Sequence, residues 1–350
     1  MHGGDVYRNK IDLDFSVNIN PLGMPKETIK LMDECYEELS RYPDISCEGL
    51  KKKIGEYHGV APEKIVCGNG ASELIHGICM MARSQKALLN APSFSGYERS
   101  LNALGTRIYY NYLNSAEEFE VSESFTDKIG AIHPKLVFIT NPNNPDGNLV
   151  RDEERIKILA ACRQEASFLV ADECFIEMTM EGEEASFLRD IRDDDRTIIL
   201  RAFTKTYGMP GLRLAYGICS DEAIAERLED FLPEWNISSI AQKIGEGVIG
   251  DREYLKKSRE YVKKERDFLS EGLTKLGMKV YHSDANFILF ENDENDEQNL
   301  YEELLKRKIL IRDCSDYMGL KKGHYRIAVK DHDSNEKLLK IMGEIIHYGN

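Results

Sequence analysis

Long apolar runs are missing from this chain of 350 residues. The longer ones, such as Leu136–Thr140, are strand-sized and fall far short of the roughly 20 residues a spanning helix needs. Clustered cysteine is missing too. The eight cysteines, at 35, 47, 67, 79, 162, 174, 219 and 314, include no Cys-x-x-Cys pair. A disulfide framework and a metal site are therefore not expected, and reduced, buried thiols are. Positive charge is scarce, with 46 Lys and Arg against 61 Asp and Glu and a formal net charge of −15. That balance argues against non-specific binding to nucleic acid or an anionic membrane, so an anionic ligand would need local arginines. Met1–Asp5 lacks the basic and apolar regions of a signal peptide, and a cytoplasmic location is expected. No internal repeat or low-complexity linker occurs, and the cluster Glu291–Glu297 reads as a solvated loop or helix start.

What is present is ordinary for a soluble globular protein: 42% hydrophobic and 31% charged residues. The length suits one large domain plus a smaller one. From Lys64 to about Ser220, short apolar runs alternate with helix-length segments. The runs are Ile65–Cys67, Ala87–Asn90, Leu136–Thr140, Phe168–Ala171, Thr197–Leu200 and Ala215–Cys219. The pattern predicts a mainly parallel α/β sheet. After Asp251 come a long charged helix, Arg252–Leu276, then strand-like runs at Lys279–Tyr281, Asn286–Phe290, Ile309–Arg312 and Tyr325–Val329, with helices near Glu297–Arg307 and at the end. The expected division is an N-terminal arm (1–45) packing with the small domain, a large α/β domain (46–250) and a small α+β domain (251–350).

Ligands on parallel sheets gather at the carboxyl ends of the strands, and four strings fall there. Cys67–Ser72 follows a strand and opens a helix, where free N–H groups, small residues and a serine hydroxyl make an anion cradle. A tight turn with an N-cap serine would look the same. Asn141–Gly147 places two prolines and adjacent asparagines in a rigid loop after a buried strand. Asp172 ends the next strand; it could cap a helix, or keep a pyridine nitrogen protonated. Arg201–Gly217 holds Lys205 just beyond a strand and Arg213 eight residues on. A desolvated lysine near other cations can lose its proton and form an imine.

This ordered set resembles the fold-type I pyridoxal-phosphate enzymes, the aspartate-aminotransferase superfamily, across essentially the whole chain. The likeness implies that Lys205 carries pyridoxal 5'-phosphate as a Schiff base and Asp172 pairs with the ring nitrogen, the two catalytic residues. Asn144 would bond the ring hydroxyl and Phe94 would stack on the ring. Gly70, Ala71, Ser72 and Arg213 would hold the phosphate. Tyr42 would reach the phosphate of a neighbouring subunit, which implies a homodimer with shared sites.

Further strings narrow the resemblance: His2-Gly3-Gly4, Leu13–Gly23, Arg41–Asp44, Ile311–Ser315 and Tyr325–Val329. Together they are similar to the L-threonine-O-3-phosphate decarboxylases, which make (R)-1-aminopropan-2-yl phosphate for the nucleotide loop of cobalamin. By that likeness His2, Gly3, Asn18, Asn144, Arg312 and Arg326 contact the phosphorylated amino acid, phosphothreonine or phosphoserine. The main rival is an aminotransferase acting on histidinol phosphate or an aromatic amino acid. A regulatory role as a cofactor sensor would need an attached DNA-binding domain. Two departures stand out. Ala202 occupies a position where many relatives place a serine that touches cofactor phosphate, and Asp146 replaces the usual threonine of the asparagine loop, on a turn where the change is expected to be harmless.

Overall fold

A computed structural model describes residues 3–292 and 299–348. The expected solvated loop at Glu291–Glu297 lies mostly outside the described residues. Strand β1 (Leu13–Asp14) belongs to the arm. The large sheet contains β2 (Ile65–Gly68), β3 (Lys86–Ala91), β4 (Arg107–Tyr112), β5 (Leu136–Thr140), β6 (Phe168–Asp172), β7 (Thr197–Ala202) and β8 (Ala215–Cys219), in the order β2-β8-β7-β6-β5-β3-β4. Only β8 runs against the rest. The chain thus has the fold of fold-type I pyridoxal-phosphate enzymes, a mainly parallel sheet beside a smaller antiparallel one.

The sequence of the central strands explains their burial. Leu136, Phe138, Val170, Ile198 and Leu200 enter one apolar core, while Val137, Ile139, Leu169, Ala171 and Ile199 enter the other. Alternate side chains point to opposite faces, and both faces are covered, so these strands read as unbroken apolar runs. The apolar pattern does not predict strand β4. It is an edge strand of sequence Arg-Ile-Tyr-Tyr-Asn-Tyr, with only Asn111 fully buried, so neither an apolar run nor clean alternation marks it.

The small sheet holds β9 (Lys279–Val280), β10 (Phe287–Glu291), β12 (Arg312–Asp313) and β13 (His324–Ala328), while β11 (Ile309–Leu310) pairs with β1. The expected single run Ile309–Arg312 therefore splits between two sheets. Helix Arg252–Lys275 buries Leu255, Val262, Leu269 and Leu273, the helical spacing of one apolar face. Leu269 and Leu273 join Ile288, Phe290 and Ile327 in the core of this domain. The arm is divided as well: β1 joins the small domain, but helix Glu27–Glu34 packs on helix Ser239–Val248. All eight cysteines are free and buried, and no described helix is long and apolar enough to cross a membrane.

Candidate active site

A cavity of about 250 Å³ lies among the ends of β5, β6 and β7, the small sheet and the arm. Strand ends contribute Thr140, Asp172 and Ala202. The small sheet contributes Arg312 and Arg326, and the arm contributes Gly3 and Asn18.

Lys205 sits in a single helical turn, Phe203–Thr206, directly after β7. The same connection carries Arg213 before β8 returns beside β7, with Ala202 opposite Ala215. This hairpin-like return explains why a lysine and an arginine eight residues apart face one cavity. Lys205 Nζ lies 5.6 Å from the centre of the Phe175 ring. Burial, and then the positive charges of Arg326 and Arg213, pull its amine down to about 8. The free-base form needed to attack a carbonyl is therefore accessible near neutral pH.

The arm holds this turn in place. Asn20 N–H donates to the Lys205 carbonyl at 3.2 Å. Its side-chain amide donates to the Thr206 carbonyl at 2.7 Å and to Ser258 Oγ at 2.8 Å. Gly208, at φ +65°, packs so closely on Gly23 that an added Cβ would sit 2.8 Å from the Gly23 carbonyl. The asparagine string of the arm thus has two jobs: Asn18 lines the cavity and Asn20 clamps the lysine turn.

Asp172 ends β6. Its Oδ2 accepts from Tyr97 Oη at 2.6 Å and its Oδ1 from Cys174 N–H at 3.2 Å. Neither Tyr97 nor Cys174 is marked in the sequence, since one is a buried core aromatic and the other an isolated cysteine. Phe94 lines the cavity and meets Tyr97 edge-on, at 5.5 Å between centres.

Ala71 and Ser72 open helix Ala71–Ala82 and also line the cavity. Gly70 precedes them at φ +79°, and a Cβ there would fall 2.2 Å from Arg213 Nη2. The positive φ favours glycine, and the absence of a Cβ lets the guanidinium lie close beside the helix start, which is the geometry of an anion cradle. Asn144 projects from a loop braced at both ends. Asn141 Nδ2 donates to the Ala185 carbonyl at 2.8 Å, Val150 N–H donates to Asn141 Oδ1 at 2.9 Å, and Gly147 N–H donates to the Asn143 carbonyl at 2.7 Å. Asp146 lies on the expected turn of this loop. It is completely buried, with Asn143 Nδ2 and Asn148 N–H both donating to it, and burial pushes its carboxyl up to about 7.

Arg312 and Arg326 are register partners on β12 and β13. Arg326 donates to Asn144 Oδ1 and, at 2.9 Å, to the Ser16 carbonyl. Arg312 donates to Asp316 Oδ1 and to the Asp313 carbonyl, both at 2.6 Å, and lies over the Tyr317 ring. Arg326 Nε and Asn18 Oδ1 are buried with no hydrogen-bond partner among the described residues. Such groups are costly unless a ligand satisfies them.

One anticipated residue lies away from this chain's cavity. Tyr42 is 80% exposed, its ring 5.0 Å from that of Trp235, and it does not line this chain's cavity. His2 lies outside the described residues. Away from the cavity, His58, Glu177 and Glu183 bring three potential ligand atoms within 4.8 Å of one another. Arg201 already donates to Glu183 Oε1 at 2.7 Å, which makes the group an ion-pair network.

The aminotransferase class I and II family profile matches residues 10–342. The chain belongs to that family. A protein of Caldanaerobacter subterraneus subsp. tengcongensis named "Putative threonine-phosphate decarboxylase" is 37% identical, covering 99% of this chain and 94% of that one. A histidinol-phosphate aminotransferase of Thermoanaerobacter sp. is 34% identical, covering 97% and 93%. The crystal structure of the histidinol-phosphate aminotransferase from Clostridium acetobutylicum superposes with a TM-score of 0.89 at 33% identity, covering 96% of this chain and 99% of that one. The cofactor is pyridoxal 5'-phosphate, and the chain is a decarboxylase or an aminotransferase dependent on it. The residues fit that group: a lysine with a lowered pKa, a hydrogen-bonded carboxylate across the cavity, and a cradle of helix N–H groups beside Arg213.

Proposed function

We propose that this enzyme decarboxylates L-threonine O-3-phosphate to (R)-1-aminopropan-2-yl phosphate, for assembly of the cobalamin nucleotide loop, with phosphoserine as the alternative substrate. One observation carries the reading. Arg312 and Arg326 stand directly opposite each other on neighbouring strands, and both line the cavity that holds Lys205. Asp316 already pairs with Arg312, whereas the hydrogen bonds of Arg326 described above go to the neutral acceptors Asn144 and Ser16. An anionic ligand between the two guanidiniums would offset the repulsion of like charges placed opposite each other. A substrate with a carboxylate and a phosphate on one short skeleton supplies both, through charge-assisted, bidentate contacts.

Bound pyridoxal phosphate supplies an electron sink for the pair left on the substrate Cα. Lys205 would hold the cofactor covalently. Asp172 would keep the ring nitrogen protonated. Ala71, Ser72 and Arg213 would hold the cofactor phosphate, Asn144 the ring hydroxyl, and Phe94 one face of the ring. The two arginines would bind the carboxylate and phosphate of the substrate and so orient it in the cavity for loss of carbon dioxide. Tyr42 would complete the site of a second subunit in a cytoplasmic homodimer.

The second reading is transamination of histidinol phosphate. The close superposition on an enzyme of that name favours it. The two arginines would then bind the two carboxylates of a glutamate donor. Release of carbon dioxide from phosphothreonine and phosphoserine, measured beside glutamate-dependent keto-acid formation, separates the two. Keto acid without carbon dioxide rejects the decarboxylase reading.

A further inference from the structure

Tyr97, on helix Gly96–Ala103, is among the largest fully buried side chains of the protein. Its ring stacks on Phe138, with centres 4.7 Å apart and planes 21° from parallel. A phenylalanine would make that contact equally well. The hydroxyl is what requires a reason, because a buried hydroxyl is destabilising unless it is bonded. It reaches the ends of two parallel strands, donating to Asp172 Oδ2 at 2.6 Å and lying 3.1 Å from Thr140 Oγ1. Thr140 and Asp172 are themselves register partners on β5 and β6. Burial and the Asp172 charge hold the phenol well above its ordinary value of 10, so it stays a donor.

We propose that Tyr97 is a positioning residue for the cofactor: its hydroxyl holds the Asp172 carboxylate in the orientation that meets the ring nitrogen. The physical basis is the strength and directionality of a short hydrogen bond from a hydroxyl to a carboxylate oxygen. Without it the carboxylate is free to turn away and stabilises the proton on the ring nitrogen less well. The ring nitrogen then carries less positive charge, and the electron sink weakens. The inference rests on the ring nitrogen meeting Asp172, and it is the same whether decarboxylation or transamination follows.

The effect can be read without turnover. Positive charge on the ring nitrogen depresses the pKa of the nitrogen that joins Lys205 to the cofactor, as any nearby like charge does. A pH titration of the visible absorbance of the holoenzyme reports that pKa. Asp172→Asn should raise the midpoint. Tyr97→Phe should raise it in the same direction by a smaller amount, and weaken cofactor binding about tenfold, the scale of one charge-assisted hydrogen bond. Thermal unfolding of the apo-protein serves as the control. A Tyr97→Phe enzyme that loses apo-protein stability but keeps the wild-type midpoint and cofactor affinity overturns the inference, because the hydroxyl is then only a structural bond. An Asp172→Asn enzyme with a wild-type midpoint overturns the role of Asp172 itself, and the inference falls with it.

Discussion

Glu173 Oε2 accepts two hydrogen bonds from one guanidinium, from Arg201 Nη2 at 2.8 Å and Nε at 3.1 Å, with both side chains almost fully buried. Glu173 follows Asp172, and Arg201 precedes Lys205 by four residues. The pair therefore ties the end of β6 to the end of β7 and sets the spacing between the carboxylate and the lysine. Arg201 also bonds Glu183 and Ser186, so its loss strands buried acceptors. Arg201→Met should destabilise the protein by about 3–5 kcal/mol, as expected when one partner of a buried pair is removed. Denaturant unfolding of the apo-protein measures this. A loss of stability no larger than that of an exposed pair would show that the tie does not hold the strands.

Lys205 gives a prediction about pH. Its amine titrates near 8 rather than at the ordinary 10.5, so the nucleophilic free base prevails above pH 8. The visible absorbance that follows mixing of apo-protein with pyridoxal phosphate should appear faster as pH rises through about 8, and then level off. The unfolded chain keeps this proton up to 10.5 while the folded chain releases it at about 8. Apo-protein stability from this group should therefore rise with pH across that window. Arg326→Met should move the loading midpoint upward, because the Arg326 charge is the main electrostatic cause of the lowered value. Lys205→Ala should show no such absorbance and no turnover. Normal turnover by that variant without an added amine would remove Lys205 from its role.

The division between what the sequence discloses and what it hides follows from how each residue signals. Lys205, Asp172, Asn144 and Arg213 lie at strand ends in strings of unusual composition, and the structure brings all four to one cavity. Central strands are legible because burial on both faces demands continuous apolar residues. Strand β4 is not, because an edge strand needs neither a continuous run nor strict alternation. Tyr97 is hidden for a different reason. A buried aromatic on a helix signals only core, and its hydroxyl acquires meaning when folding sets it beside Asp172 from 75 residues away in the chain. Asn20 sits in plain view in the arm, but nothing local tells that its amide reaches the turn of Lys205. Asp146 looks like a turn residue, and turn composition says nothing about burial.

Asp146 supplies a stability prediction with a definite sign. Burial raises its carboxyl from 3.8 to about 7. Between those values the folded protein holds a proton that the unfolded chain has released. Stability from this group therefore falls as pH climbs through the window, at most by about 1.4 kcal/mol for each step of one in pH, and is flat above it. Asp146→Asn cannot titrate and should abolish that part of the slope. Comparing wild type and variant at pH 5 and pH 8 cancels the other titrating groups. The stability of the variant relative to wild type should be greater at pH 8 than at pH 5. An equal difference at both values would mean that the carboxylate is ionised throughout.

Substrate choice follows from the opposed arginines. The protein as a whole carries a formal charge of −15, so attraction for a doubly charged ligand has to be local. Charge-assisted hydrogen bonds contribute roughly 1.5–3 kcal/mol each. Replacing either Arg312 or Arg326 with glutamine should then lower kcat/KM for phosphothreonine by about tenfold to a hundredfold, at about 1.4 kcal/mol per decade. Arg326 also braces Asn144, so its loss should reduce kcat as well as raise KM. Arg312 is held by Asp316 and the Asp313 carbonyl, and its loss should act mainly on KM. The competing view is that one arginine binds the α-carboxylate, as in an aminotransferase, while the other only pairs with its protein neighbours. Under that view unphosphorylated threonine loses as much as phosphothreonine when the first is replaced, and nothing changes when the second is. Measuring both amino acids with wild type and each variant separates the two. A wild-type enzyme with no preference for the phosphorylated amino acid rejects the decarboxylase reading. A clear preference that neither substitution narrows places phosphate recognition on other residues.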